Sequence, residues 1–295
     1  YDMRVLVIGA NGLLGSNLVK MLCLKHNVYA LVNKNKKLNF QLNENIKIIE
    51  TDLNKLDTND LPNNIDVVFY LAQSNKLRDF PENTSDVISI NILAPNTIAK
   101  WAVDSGVKKF IYTSSGGVYT GQNKLVNENL EINANVNKDF YLSTKLSAEI
   151  LLKNYEKYFQ SFIILRPFFI YGVGQNKNML IPRLISNIKN EKDITLNGKN
   201  GLKINPIYVT DASNALLNLL NLNDNLIINL AGEEIVSLRE LCVMISEQVG
   251  KKPYFKIKDI PQNDLVADVT IMKKKLFQSK VNLKSGISKM KKSYY

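Results

Sequence analysis

Arg4-Val5-Leu6-Val7-Ile8-Gly9-Ala10-Asn11-Gly12-Leu13-Leu14-Gly15 is the stretch on which the reading of this chain turns. An apolar run of strand length, Arg4–Gly9, passes through a glycine turn into Gly15–Leu24, whose apolar spacing predicts a helix. Gly9 allows the tight turn, Gly12 lets a pyrophosphate approach the backbone, and Gly15 lets helix and strand pack closely. Asn11, Leu13 and Leu14 complete the turn, and the first N–H groups of the helix face the phosphates. Spacing alone is a weak signal. Its place after the first strand of an alternating pattern makes it a dinucleotide site.

Outward from that turn, short β-rich runs recur at Val28–Val32, Lys47–Ile49, Asp66–Ala72, Phe110–Ser115 and Phe162–Leu165, with helical stretches at Asp86–Ser105 and Phe140–Tyr158. Strand and helix in alternation predict an α/β fold, a Rossmann doubly wound parallel sheet. The second half changes character: a helix Met179–Asn190, a turn cluster Gly198–Gly201, a strand Ile207–Val209, a helix from Asp211, a strand Leu226–Leu230 and a helix Ser237–Val249. The expected division is a nucleotide-binding domain over 1–165, with 205–230 returning to the sheet. A smaller, discontinuous C-terminal substrate domain takes 166–204 and 231–295.

Composition narrows the chemistry. Hydrophobic residues at 45% and charged residues at 22% of 295 argue against disorder. Cys23, Cys242 and His26 are the whole Cys/His inventory, which removes zinc and iron–sulfur sites, disulfide frameworks and any triad not built on His26. No metal ligands are assigned, and His26 reads as a surface or capping residue. The net charge is +11, and twelve lysines against three aspartates lie between Lys251 and Tyr295. That stretch reads as a solvated face, an attractor of anionic substrate, or a nucleic-acid surface. No apolar run is long enough to span a membrane, and the first one is strand-length, so no signal peptide is expected. Tyr1-Asp2 ahead of Met3 reads as foreign to the natural start. Unpaired cysteines make the cytoplasm the default location.

At the end of the second strand the sequence is Asn33-Lys34-Asn35-Lys36-Lys37. A carboxylate there would favour the ribose hydroxyls of NAD, whereas a cation accommodates the phosphate of NADP. With no carboxylate and with Lys34 in reach, the expected cofactor is NAD(P), leaning to NADP(H). Downstream, Asp52, followed by Leu53, suits the adenine amine. Leu71-Ala72-Gln73 suits the backbone run along the diphosphate and ribose.

Tyr141-Leu142-Ser143-Thr144-Lys145 supplies the chemistry. Residues four apart on a helix share a face, so phenol and ammonium reach one place. A nearby cation stabilises phenolate and brings a tyrosine toward working as a base at neutral pH. Upstream, the strand from Phe110 closes in Thr113-Ser114-Ser115-Gly116-Gly117, and a serine at the carboxyl end of a strand can hold the substrate oxygen.

Turn, strand end and Tyr–Lys pair in this order resemble the extended short-chain dehydrogenase/reductase superfamily, in its NAD-dependent epimerase/dehydratase branch. The resemblance covers nearly the whole chain. Gly9, Gly12 and Gly15 match the cofactor loop, Asp52 the adenine contact and Asn91 the family's helix asparagine. Ser115 falls on the Ser/Thr before x-x-Val-Tyr, and Tyr141 and Lys145 on Tyr-x-x-x-Lys. Leu165–Gly172, with Pro167 and Phe168, looks like the stretch that passes the nicotinamide. Ile207–Ala212 is similar to a later strand-to-helix marker. The resemblance also implies a homodimer built on the helices Asp86–Ser105 and Phe140–Tyr158.

Departures from the family pattern point to the reaction. Dehydratases of the family carry an Asp-Glu pair after the Ser/Thr, and here Gly116-Gly117 stand in its place. Members that invert C3 and C5 rely on a Cys/His pair, which the motifs here lack. What remains is a C4 epimerase or a 4-keto reductase acting on a nucleotide sugar. The family's diphosphate-binding arginine before the later marker is missing, and Lys203 is the only cation in that stretch. Arg183, Lys203, Asn178 and the tail lysines are candidate substrate contacts, with Ser115 and Gly116 at the sugar end. Two rivals stand beside this reading: a reductase of a smaller carbonyl or hydroxyl compound, and a non-catalytic module that senses cofactor or binds RNA.

Overall fold

The computed structural model describes residues 2–34, 37–122, 125–136 and 139–294; Tyr1, Asn35 and Lys36 lie outside the described residues. Its first half runs β1 (Arg4–Ile8), α1 (Leu13–Leu22), β2 (Asn27–Val32), β3 (Ile46–Glu50), β4 (Val67–Tyr70), α2 (Thr84–Ile88), α3 (Ala94–Asp104), β5 (Lys109–Thr113), α4 (Phe140–Leu152) and β6 (Ser161–Pro167). The second half adds β7 (Ile170–Tyr171), α5 (Leu180–Lys189), β8 (Asp193–Asn197), β9 (Lys203–Ile204), β10 (Ile207–Tyr208), α6 (Val209–Asn218), β11 (Leu226–Leu230), β12 (Val236–Ser237), α7 (Leu238–Val249), β13 (Tyr254–Lys258), α8 (Thr270–Lys275) and α9 (Leu283–Tyr294).

Seven strands form one sheet in the order β11-β6-β5-β4-β1-β2-β3. The pairings from β6 through to β3 are all parallel. Parallel strands covered on both faces need apolar side chains on both, which explains the unbroken runs Val5–Ile8 and Val67–Tyr70, every residue of which is buried. Strand order reverses between β1 and β4, and in such sheets ligands bind outside the carboxyl ends of the strands at that reversal. The loops that follow β1 and β4 therefore frame the site.

The chain divides into two compact units. The first is 1–118, 134–166 and 213–228, and its core joins Leu6, Ile8, Tyr70 and Tyr112 of the sheet to Ile98 of α3 and Ala148 of α4. The second is 119–133, 167–212 and 229–295. It contains three two-stranded pairs, β7–β10, β9–β12 and β8–β13, with α5 and α9 both against α7. Helix α7 opens with a reciprocal Ser237–Glu240 capping box and stops at Gly250 in a left-handed conformation. These limits differ from the expected domains: residues 119–133, 205–212 and 229–230 go with the second unit, and Arg166 with the first.

Two further differences have physical reasons. The long helix expected over Asp86–Ser105 is interrupted by a π turn, Ser89–Leu93, which carries Asn91 into the interior. The helix expected through Tyr158 is α-helical only to Leu152 and tightens into a 3₁₀ segment over Lys153–Tyr158. The elements β13, α8 and α9 were not anticipated, because the polar residues of Tyr254–Lys258 and the lysines beyond give little periodic apolar signal.

Candidate active site

In the glycine turn, Gly9 has φ +82°, a conformation side-chain-bearing residues rarely take. A Cβ on Gly9 would sit 2.8 Å from the Ala72 nitrogen, and one on Gly15 would sit 2.2 Å from the Gly9 oxygen. Only glycine lets the loops after β1 and β4 touch and α1 start this close to its strand. Gly12 caps α1 without a side chain, leaving the helix start open to an anion. Leu13 and Leu14 form the first turn of that helix and are partly buried.

Asn11 is held by the chain beyond β2. It donates to the Lys37 carbonyl at 2.8 Å and accepts from the Asn39 backbone at 2.7 Å, while the Asn39 amide donates to the Asn11 carbonyl. Asn33 and Lys34 are exposed at the end of β2. Asp52 Oδ1 is already engaged, accepting from the backbone and side-chain nitrogens of Asn54 as the cap of a 3₁₀ turn that begins at Leu53.

Tyr141, Lys145 and Ser115 meet at the carboxyl edge of the sheet. Lys145 Nζ donates to the Thr113 carbonyl, at the end of β5, at 2.9 Å and lies 5.9 Å from the Tyr141 ring centre. The Tyr141 hydroxyl donates to Gln73 Oε1, in the loop after β4, at 2.8 Å. Ser115 Oγ accepts from the Gly117 nitrogen and hydrogen-bonds the phenol. Gly116 is buried beside it.

Burial dominates the electrostatics of the pair. Burial pushes the Tyr141 phenol up to about 12; the Ser115 hydrogen bond opposes this and the Asp139 charge adds to it. Lys145 was expected to lower the phenol. It is itself 1% exposed, and burial drives its ammonium down to about 7 against the opposing pull of Glu149. Glu149 is held by Arg166 in a buried two-pronged pair, Nη2–Oε2 at 2.6 Å and Nε–Oε1 at 3.1 Å.

Asn91, matched to the family's helix asparagine, is fully buried with its carboxamide joining two elements. Its oxygen accepts from the Ser74 nitrogen at 3.0 Å, and its nitrogen donates to Thr144 Oγ1 at 3.0 Å. The Thr113 and Ser114 hydroxyls, at the same edge, are buried and among the described residues have no hydrogen-bond partner. Unpartnered buried hydroxyls beside a glycine cradle fit the polar face of a bound nucleotide.

The remaining expected residues lie in the second unit. Phe168 is buried, its ring stacked on Tyr119 and its nitrogen donating to the Leu230 carbonyl, while Pro167 is partly exposed. Asn178, Arg183 and Lys203 are all exposed. Sequence reasoning missed the Gln73 side chain, the Lys37–Asn39 clamp and the Glu149–Arg166 pair. Of these only Glu149 left a signal, one helical turn beyond Lys145.

The sequence profile of the NAD dependent epimerase/dehydratase family matches residues 5–231. The UDP-glucuronate 4-epimerase of Thermodesulfobacterium geofontis is 26% identical over 83% of this chain and 78% of its own length. The dTDP-D-glucose 4,6-dehydratase of Mus musculus is 24% identical over 90% and 80%. The crystal structure of UDP-glucuronic acid 4-epimerase from Bacillus cereus, in complex with UDP-glucuronic acid and NAD, superposes with a TM-score of 0.85 at 25% identity, covering 99% of this chain and 98% of that one.

Proposed function

This chain belongs to the NAD-dependent epimerase/dehydratase family and is an enzyme of the extended short-chain dehydrogenase/reductase type, and from that premise we propose that it inverts C4 of a uridine-diphosphate sugar. The observation that carries the reading is the meeting of Tyr141, Ser115 and Lys145 beside the unpartnered Thr113 and Ser114 hydroxyls. The glycine turn with Asn11, Leu13 and Leu14, together with Asp52, Leu53, Leu71, Ala72, Asn33 and Lys34, would hold NAD(P), with Asn91, Pro167 and Phe168 as further candidates. Bound there, the nicotinamide would take a hydride from the sugar and give it back.

The protein's own part is proton handling. Tyr141 takes the C4 hydroxyl proton and returns it, Ser115 holds the same oxygen, and Lys145 in its charged form stabilises the phenolate. Burial favours the neutral phenol, so Tyr141 must first release its own proton to solvent, and it acts as the base only where positive charge at the site offsets that burial. An acid and base for elimination are missing at Gly116-Gly117. A Cβ on Gly117 would meet the end of the Leu142 side chain, so that leucine occupies the space beside the position. Arg183, Lys203 and Asn178 are the diphosphate candidates of the second unit.

NADP(H) is the second reading for the cofactor, favoured by the missing carboxylate at Asn33 and the exposed Lys34. A 4-keto reductase or a reductase of a smaller compound is the second reading for the reaction, favoured by the missing diphosphate arginine. Exposed Leu93, Ile150 and Leu151, on the π turn and α4, fit a homodimer that light scattering would detect. We place the enzyme in the cytoplasm, and among the described residues no helix is long and apolar enough to cross a membrane.

The test is incubation with UDP-glucuronate, UDP-glucose and small ketones, followed by proton NMR at C4. A C4 epimer accumulating without net cofactor reduction is expected. Consumption of NADPH by a free ketone, with both UDP-sugars untouched, would replace the epimerase reading.

A further inference from the structure

We propose that Gln73 is part of the proton-transfer site, its carboxamide holding the Tyr141 hydroxyl in both protonation states of the phenol. The assignment rests on the reading of Tyr141 as the proton carrier and adds a group that the sequence offered only as backbone.

The contact is built from both sides. On the loop after β4, the Leu71 nitrogen donates to the Ile8 carbonyl at 2.9 Å, and Ala72 is packed against Gly9. On the other flank the Ser74 nitrogen is fixed by Asn91, and Ser74 Oγ donates to Asp86 Oδ2 at 2.5 Å. Gln73 is thus an exposed residue between two pinned neighbours. On α4, Thr144 Oγ1 donates to the Tyr141 carbonyl at 2.7 Å and accepts from the same Asn91. One buried asparagine therefore braces both residues that meet at the phenol.

The chemistry of a carboxamide suits this position. Its oxygen accepts from a neutral phenol, and after a half-turn its NH₂ donates to a phenolate; a carboxylate can only accept, and a hydrocarbon does neither. The groups facing the phenol are Lys145 from α4, Asp139 at the cap of that helix, the Ser115 hydroxyl from the loop after β5 and Tyr112 from β5. On the side of α2, Lys76 and Asp86 form an ion pair at 3.7 Å. A negative charge at position 73 would add to the Asp139 effect and hold the proton on the phenol.

The experiment compares wild type, Gln73→Glu and Gln73→Leu, each carrying 3-fluorotyrosine, whose fluorine makes the phenol more acidic and reports its ionisation by fluorine NMR. The Tyr141 signal is assigned by its loss in Tyr141→Phe. Gln73→Glu should raise the Tyr141 midpoint by roughly one unit or more, with a matching upward move in the pH profile of turnover. Gln73→Leu should lower kcat by about tenfold with KM for the sugar unchanged. An unmoved midpoint in Gln73→Glu together with wild-type kcat in Gln73→Leu would overturn the assignment. If Tyr141→Phe loses activity in that case, only Gln73 falls; if Tyr141→Phe turns over normally, the proton-carrier reading falls with it.

Discussion

The glycine turn at 9–15 and the lysine-rich stretch after residue 250 are both conspicuous in the sequence, yet only the first dictates geometry. Gly9 and Gly15 of the turn each answer a contact that any side chain would destroy, with backbone atoms as the neighbours. Lysines impose no such condition. Those of α8 lie on a short exposed helix, and β13 pairs with β8 while nearly all its side chains face solvent. Residues that forbid alternatives fix a structure; residues that tolerate water leave it open.

The same contrast holds for charge, and it can be broken by substitution. Arg166→Ala leaves the Glu149 carboxylate buried without its partner and should cost about 3–5 kcal/mol in urea unfolding. A loss below 1 kcal/mol would mean that water reaches this pair. Gly15→Ala should cost about 3 kcal/mol, at the upper end for overpacking, because only backbone surrounds the new Cβ. It should also abolish nucleotide binding by calorimetry, and retained binding would show that the turn can widen.

Lys145→Met sharpens the comparison through pH. Lys145 titrates near 7 when folded and near 10.5 when unfolded, so between these values the unfolded chain holds more protons and stability rises with pH. The variant should be at least ~2 kcal/mol more stable than wild type at pH 6, with the gap closing toward pH 10. A pH-independent gap would assign the effect to packing. Smallest of all, Lys273→Ala removes an ion pair with Glu233 at 2.8 Å that is open to solvent, and should change stability by less than about 1 kcal/mol.

The legible parts of the molecule share a cause. Strands covered on both faces announce themselves as unbroken apolar runs, so β1, β2, β4, β5, β6 and β11 were readable to within a residue or two. Tyr141 and Lys145 were readable because helical spacing fixes which residues share a face. Depth was not readable. Nothing in Tyr-x-x-x-Lys says that phenol and ammonium are both buried, which raises the one and lowers the other. Nor does an asparagine in a helix announce that a π turn will carry it inward to Ser74 and Thr144. The short pairs of the second unit are two to five residues long, too brief for a period of two to emerge.

The account rests on the Tyr141 hydroxyl as the atom that moves the proton, and one variant reaches it directly. Turnover of a UDP-sugar by Tyr141→Phe, measured beside its affinity for the nicotinamide nucleotide, should fall by about 100-fold or more with affinity nearly unchanged. Wild-type turnover with that hydroxyl gone would contradict the account, because the proton would then be carried by another group.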